Sequence, residues 1–337
     1  MRHGRAAACA FVLLLASSAG AAGTATATAT AATATAAAAP AATAAAPQLR
    51  LVTSNVMMLP RTLYPNWGQL HRADLIAASG YVQGADVLVF QEAFDNGASD
   101  RLQANLKGRY PYQTPVLGRS KSGWDRTEGA YSSLTPEDGG VTILSKWPIL
   151  ERVQHVYGDA CGADWFSNKG FVYAVLDVNG TRVHVVGTHT QADDSACGSG
   201  EAASVRAAQN REIDAFLDAR AIPAAEPVVV VGDLNTDAGG AEYARMLADL
   251  DVSAPDADPG PVASFDPATN SVAYDRYPDD PAQRLDHALL RNGHARPARW
   301  NNRVVDEHSP RWSVTSWGTT YTFDDYSDHY PLVAGDV

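Results

Sequence analysis

Apolar residues fall in short runs that stop at a polar residue. The stretches 49–55, 86–92, 140–146, 169–178, 181–190, 227–235, 284–290 and 329–335 have the length and β-branched content of strands. Several are almost wholly apolar before their polar ends, which predicts strands covered on both faces. Three stretches carry helical spacing instead, 69–82, 204–220 and 240–250. Asn179-Gly180 between two strand patterns predicts a tight hairpin. Strands grouped around hairpins, with helices outside, favour a two-layered β-sandwich over a doubly wound parallel sheet. The chain has no internal repeat and no glycine-rich nucleotide loop.

The N-terminus stands apart from this pattern. Arg2 and Arg5 precede an apolar stretch from Ala6 to Ala16, followed by small residues, which predicts a secretory signal over about 1–22. Residues 23–47 are a low-complexity Ala/Thr/Pro tract with the composition of a linker. The expected folded domain is therefore 48–337, exported and extracellular. Residues 1–47 hold two of the 26 basic residues and no acid, so the remainder carries 24 against 38, a net charge of −14. A large basic footprint for nucleic acid is missing. Beyond the signal, Cys161 and Cys197 are the remaining cysteines, and in an exported chain they are expected to form a disulfide.

Polar residues gather at the ends of the strand patterns. Asn55 and Glu92 close the first two, His189 follows "VHVVGT", and Asp233 with Asn235 follows "VVVVGD". Each alone reads as a turn or a cap; together they place acids, amides and histidines on one rim. A carboxylate with an amide oxygen suits Mg²⁺, with Mn²⁺ or Co²⁺ as substitutes, so Asn55 and Glu92 are the expected metal ligands. Residues two apart on a strand share a face, which aims Asp233 and Asn235 at one centre. Two histidines can divide the proton work, and His329 in "DYSDHYPL" is the candidate base. Its strand neighbour Asp328 points the other way, towards the metal or a structural donor, so Asp286 is the acid expected to orient it. His184 and His287 are out of phase with the rim and read as structural.

Six short motifs occur in one order: "TSN", "FQE", "GTHTQ", "GDLN", "LDH" and "SDHYPL". They resemble the metal-dependent phosphodiesterase superfamily of pancreatic deoxyribonuclease, exonuclease III-type nucleases and inositol-polyphosphate phosphatases. Within it, "CGADWFSNKGF", "GTHTQADDSAC" and "RWSVTSWGTTYTFDDYSDHYPL" are similar to the secreted bacterial neutral sphingomyelinases. The resemblance implies an α/β fold, a four-layered α/β/β/α sandwich, and Mg²⁺-dependent hydrolysis of sphingomyelin to ceramide and phosphocholine. It also implies that Asn55 and Glu92 bind the metal, that His329 is the base, and that His189, Asp233 and Asn235 handle the phosphoryl group. The expected partner is sphingomyelin in a membrane surface, met by a monomer and without nucleic acid.

The segment "WSVTSWGTTYTF" predicts a hairpin with Trp317 at its tip, a membrane contact because indole rings favour lipid interfaces. The family pattern carries a second large apolar residue where this chain has Gly318. Asn168 or Lys169 in "SNKGF" is a further candidate for contact with phosphate. The competing readings are a nuclease on the same scaffold, a phospholipase C of broader headgroup range, and a non-catalytic membrane-binding module.

Overall fold

A computed structural model describes residues 46–337. The signal at 1–22 and almost all of the linker at 23–47 lie outside the described residues. Two mixed sheets organise the rest. The first runs from edge to edge through β12 (Asn301–Val304), β15 (Leu332–Gly335), β1 (Leu51–Asn55), β2 (Val87–Gln91), β5 (Thr142–Ser145) and β3 (Tyr112–Gln113). The second runs through β10 (Val252–Ser253), β11 (Asp286–Arg291), β9 (Val228–Asp233), β8 (Thr181–His189), β7 (Gly170–Val178), β6 (Ile149–Val156) and β4 (Arg126–Gly129). A separate ribbon pairs β13 (Trp312–Ser316) with β14 (Thr319–Phe323).

Alternation within the apolar runs explains the layering. Val229 and Val231 face inward and meet Leu51, Val87, Val89 and Ile143 of the first sheet in one core. Val228 and Val230 face outward onto Ile213, Phe216 and Leu217 of α4 (Glu201–Asp218). On the other side Val52, Leu88, Phe90 and Leu144 pack on α1 (Gln69–Ala78) and α3 (Asn96–Leu106). A strand covered on both faces needs apolar side chains at successive positions, so these runs lose the period of two. The result is four layers, α/β/β/α, because the helices predicted outside the strands cover both outer faces of the two expected sheets.

Two glycines set how closely the strands approach. A Cβ on Gly187, in β8, would lie 2.7 Å from Val89 Cγ1 of the opposite sheet. Gly232 has φ +151°, and a Cβ there would sit 1.9 Å from the carbonyl oxygen of Thr188 on the adjacent parallel strand. The glycine of "GDLN" thus lets β9 lie against β8 one residue before Asp233.

Three expectations need correction. The helix predicted over 69–82 breaks at Ser79, where α1 ends and α2 (Gly80–Gly84) begins. The Ser79 hydroxyl donates to the Ile76 carbonyl, and the Glu307 carboxylate accepts the Gly80 and Tyr81 N–H groups at 2.6 and 2.9 Å. A partner 227 residues away supplies this cap, so local pattern could not show the break. The terminal strand starts at Leu332, leaving His329 in the loop before it. Asn235 lies beyond β9 at φ +46°, in a tight turn, so it does not share a strand face with Asp233.

Gly232→Ala is expected to lower the free energy of unfolding by roughly 1–3 kcal/mol, the range for overfilling a packed interior. The urea midpoint at constant m-value checks this.

Candidate active site

The site lies where β1, β2, β8 and β9 end and β11 begins. Parallel pairing of β1 with β2 sets Asn55 level with Gln91, one residue before Glu92. Parallel pairing of β8 with β9 sets His189 level with Asp233, and antiparallel β11 brings Asp286 opposite Asp233. The two halves of the sandwich meet through one amide. Asn55 Nδ2 donates to Glu92 Oε1 at 3.1 Å and to Asp233 Oδ2 at 3.0 Å. Its Oδ1 accepts the Met57 N–H at 3.0 Å.

His329 is anchored from the second sheet. Its Nδ1 lies 2.8 Å from Asp286 Oδ2, so the ring is held at Nδ1 and presents Nε2, 3.9 Å from Asp233 Oδ2. Asp286 Oδ1 is buried and has no partner among the described residues. Burial alone would disfavour the charged ring. Asp286, Asp233 and Asp328 outweigh it and push the His329 pKa well above its ordinary value. His189 is shifted the opposite way. Burial, with Lys169 and His329 adding positive charge nearby, pushes it well below the usual range and keeps the ring neutral. Lys169 Nζ lies 3.2 Å from His189 Nε2 and also donates to the Thr190 carbonyl and the Asp164 carboxylate.

The acids are crowded. Burial and then the Asp328 charge raise Glu92 to about 7, despite the hydrogen bond from Asn55. Burial raises Asp233 as well; His329 opposes the shift and Asp286 adds to it. Glu92, Lys169, His189 and Asp328 line a cleft of about 590 Å³, whose walls include Met57, Leu59, Leu63, Phe94 and Phe166. A polar floor under apolar walls suits an amphiphile with a charged head. A larger cleft of about 940 Å³, on the outer side of the second sheet, contains none of these groups.

The sites predicted from sequence are distributed as follows. Asn55, Glu92, His189, Asp233, Asp286, Asp328 and His329 converge. Asn235 joins them through its turn, its N–H donating to Asp233 Oδ1 at 3.0 Å and its amide to the Thr190 carbonyl at 3.0 Å. Asp328 faces the cleft beside Glu92 and accepts the Ser327 hydroxyl at 3.2 Å. Asn168 does not face the cleft. Its amide holds the Gly118 and Ser132 carbonyls, and its oxygen takes the Ser132 N–H. His287 bonds the Thr236 carbonyl and His184 lies between Tyr173 and Glu226, both away from the rim. Cys161 and Cys197 are bonded. Trp317 caps the ribbon at 95 % exposure.

Two arginines escaped the sequence reading. Arg72 is fully buried and donates to the carbonyls of Val56, Met57, Trp67 and Tyr326, tying the Asn55 segment to the loop that carries His329. The signal was a lone charge on the apolar face of α1, next to Ala73 and one turn before Ile76. Arg276 lies over the rings of Tyr64 and Tyr277 at 5.2 Å and lines the same cleft. Tyr277 is its chain neighbour, but Tyr64 and the rest of the cleft come from distant segments and left no local trace.

Fold and rim together define a phosphodiester hydrolase. The chain belongs to the endonuclease/exonuclease/phosphatase family, which it matches over residues 52–329. Within that family it is similar to sphingomyelinase C of Listeria ivanovii, 48 % identical over 84 % of this chain and 85 % of that one. The solved sphingomyelinase C of Streptomyces griseocarneus is 60 % identical, with a TM-score of 0.85 over 86 % of this chain and 99 % of that one. A variant of beta toxin from Staphylococcus aureus, solved with bound magnesium ions, is 49 % identical, with a TM-score of 0.85 over 86 % of this chain and all of that one.

Asp286→Asn is expected to lower the His329 pKa by about 1–3 units, the usual effect of one close opposite charge. A histidine raised in the folded state stabilises the fold fully below its unfolded value, about 6.5, and that gain fades as pH rises through the folded value. In EDTA the wild type should therefore lose more stability than Asp286→Asn on going from pH 6 into the alkaline range. Ring NMR titration and urea midpoints check both.

Proposed function

We propose that this protein is an exported, Mg²⁺-dependent phosphodiesterase that hydrolyses sphingomyelin to ceramide and phosphocholine. The observation that carries the reading is the Asp286–His329 pair, held with Nε2 towards Asp233 on the same rim as Glu92. The likeness to sphingomyelinases C supports the substrate class, and the apolar walls of the cleft suit a lipid.

The donor set fits a hard divalent cation. Glu92 and Asp328 are crowded carboxylates in a cleft, and Glu92 is raised to about 7 chiefly by burial and that neighbour. Oxygen ligands of this kind are those Mg²⁺ takes. Glu92 and Asn55 would hold the ion, with Asp328 adding negative charge beside it. When bound, the ion would neutralise phosphoryl charge and offset the carboxylate field that keeps His329 protonated.

The chain's own residues supply the rest. Neutral His329 takes the proton of an attacking water at Nε2, while Asp286 fixes the ring at Nδ1 and stabilises the charge that develops. The water oxygen bonds to phosphorus as the bond to the ceramide oxygen breaks; that oxygen leaves with the bonding pair and takes a proton from solvent water, and His329 returns its proton to solvent. Neutral His189 and Asn235 would position the phosphoryl group, and the Lys169 ammonium beside them would offset its negative charge. Asp233, bonded to Asn55 and to the Asn235 backbone, keeps these groups in register. Trp317, exposed at the ribbon tip, would enter the lipid interface as a monomeric enzyme meets the membrane.

Three outcomes test this. His329→Ala should cut phosphocholine release by about 10²–10⁴-fold, the contribution of a positioned base, while Mg²⁺ binding by calorimetry persists. Glu92→Gln should weaken Mg²⁺ binding and turnover together. Wild type should release phosphocholine from sphingomyelin vesicles and lose that activity in EDTA. Equal release from phosphatidylcholine would replace this reading with a broader phospholipase C. Plasmid nicking without lipid turnover would make it a nuclease. Membrane damage that survives EDTA would favour a non-catalytic module.

A further inference from the structure

Among the described residues nine large apolar side chains are strongly exposed, and four of them stand at or beside the mouth of the catalytic cleft. Leu63 is 71 % exposed and lines the cleft. Trp165 is 67 % and Phe166 55 % exposed, on the short 3₁₀ turn Gly162–Phe166, with their rings edge to face at 5.1 Å. Leu134 is 92 % exposed on the adjoining loop, which bridges to the turn through Glu137 and Ser167 and through Asn168 to Ser132. We propose that Trp165, Phe166 and Leu134 form a second membrane-contact surface, separate from the Trp317 ribbon, that seats the cleft mouth on a zwitterionic phosphocholine bilayer. This rests on the lipid-directed function proposed above.

Exposure of this kind is costly to a protein that keeps it for no partner. Here the turn that carries the rings is tied down on both sides. The Cys161–Cys197 disulfide closes its base. Asp194 accepts the Ala163 N–H at 2.8 Å, and Asp164 accepts from Ala192 N–H and Lys169 Nζ. Asp164, the residue before Trp165, is thereby bonded to the lysine that touches His189. The cleft itself meets the turn through Ala163, Asp164 and Phe166. The ribbon meets it elsewhere: Trp312 and Phe323 pack on Met57 and Trp67, and Met57 with Leu59 and Tyr64 lines the same cleft. Two independent elements thus border one opening.

Charge selects the kind of surface. Neither 131–137 nor 162–168 contains lysine or arginine, while both carry acids, Glu137 and Asp164. Lys169 is taken up by its pair with Asp164, so neither segment offers a basic cluster to draw an anionic leaflet, whereas a neutral phosphocholine interface accepts indole and phenyl rings without an electrostatic penalty.

The test is co-sedimentation with phosphatidylcholine–sphingomyelin vesicles in EDTA, where turnover does not intervene. Trp165→Ala and Leu134→Ser should each weaken binding several-fold, Trp165→Phe should restore most of it, and the double variant Trp165→Ala/Trp317→Ala should bind more weakly than either single one. Wild-type binding should change little with added salt and should not rise with phosphatidylserine. Wild-type binding by Trp165→Ala and Leu134→Ser, at unaltered thermal midpoints, would overturn the proposal. So would a concentration-dependent dimer that these substitutions abolish, since the surface would then meet a second copy. Absence of phosphocholine release by the wild type would refute the enzymatic reading alone, because the binding measurement does not depend on it.

Discussion

The molecule depends on a single amide that bridges two carboxylates from opposite sheets. Asn55 Nδ2 bonds both Glu92, beyond the end of its own sheet, and Asp233, from the other. Without that donor the two acids would face each other across a closed rim with little between them but like charge. Burial already raises both above the ordinary carboxylate range. Close packing fixes the distance: Gly187 lets β8 lie against Val89 of the opposite sheet, and Gly232 lets β9 lie against β8 within its own. Packing therefore forces the charges together, and the polar groups at the strand ends make that approach tolerable.

The same crowding sorts the two histidines. His329 has Asp286 bonded at its back with Asp233 and Asp328 around it, whereas His189, although 3.7 Å from Asp233, is buried with Lys169 at its Nε2. One ring is thus drawn towards charge and the other held neutral within one pocket. Opposite preferences of this kind suit the proton transfer and phosphoryl binding proposed for the site. This division comes mainly from Lys169 just before β7, from Asp233 of β9 and from Asp286 of β11, with Asp328 adding to it from beside His329.

Much of this was legible in the chain. Strands that end in Asn55, Glu92, His189 and Asp233 could be read because a polar residue closing an apolar run must leave the core at a sheet edge. Asp286 was identified as the partner of His329 from strand alternation, yet the pairing holds for another reason. His329 lies in a loop, and antiparallel pairing of β11 with β9 carries Asp286 to it. Asn235 reached the site by a tight turn of positive φ, a conformation that the residue type permits but does not announce. What stayed hidden depended on distant partners. Glu307 caps a helix 227 residues earlier in the chain, and Arg72 clasps carbonyls near both termini of the domain. The strands β6, next to the edge strand β4, and β12, at the edge of the other sheet, were missed because partly exposed positions admit polar residues that blur the apolar run.

Arg72 shows how the rim is held open for chemistry. Burial lowers its pKa to about 10, while the Asp328 and Glu92 charges oppose that shift. The guanidinium therefore stays charged at neutral pH, yet its hydrogen bonds go to backbone carbonyls rather than to those acids. A direct ion pair would satisfy Glu92 and Asp328 and remove their appetite for a cation. By spending its donors on carbonyls, Arg72 fixes the Asn55 and His329 segments and adds only a distant positive field. The carboxylates remain crowded, under-compensated and open to the cleft, the electrostatic condition under which a hard divalent ion binds most strongly.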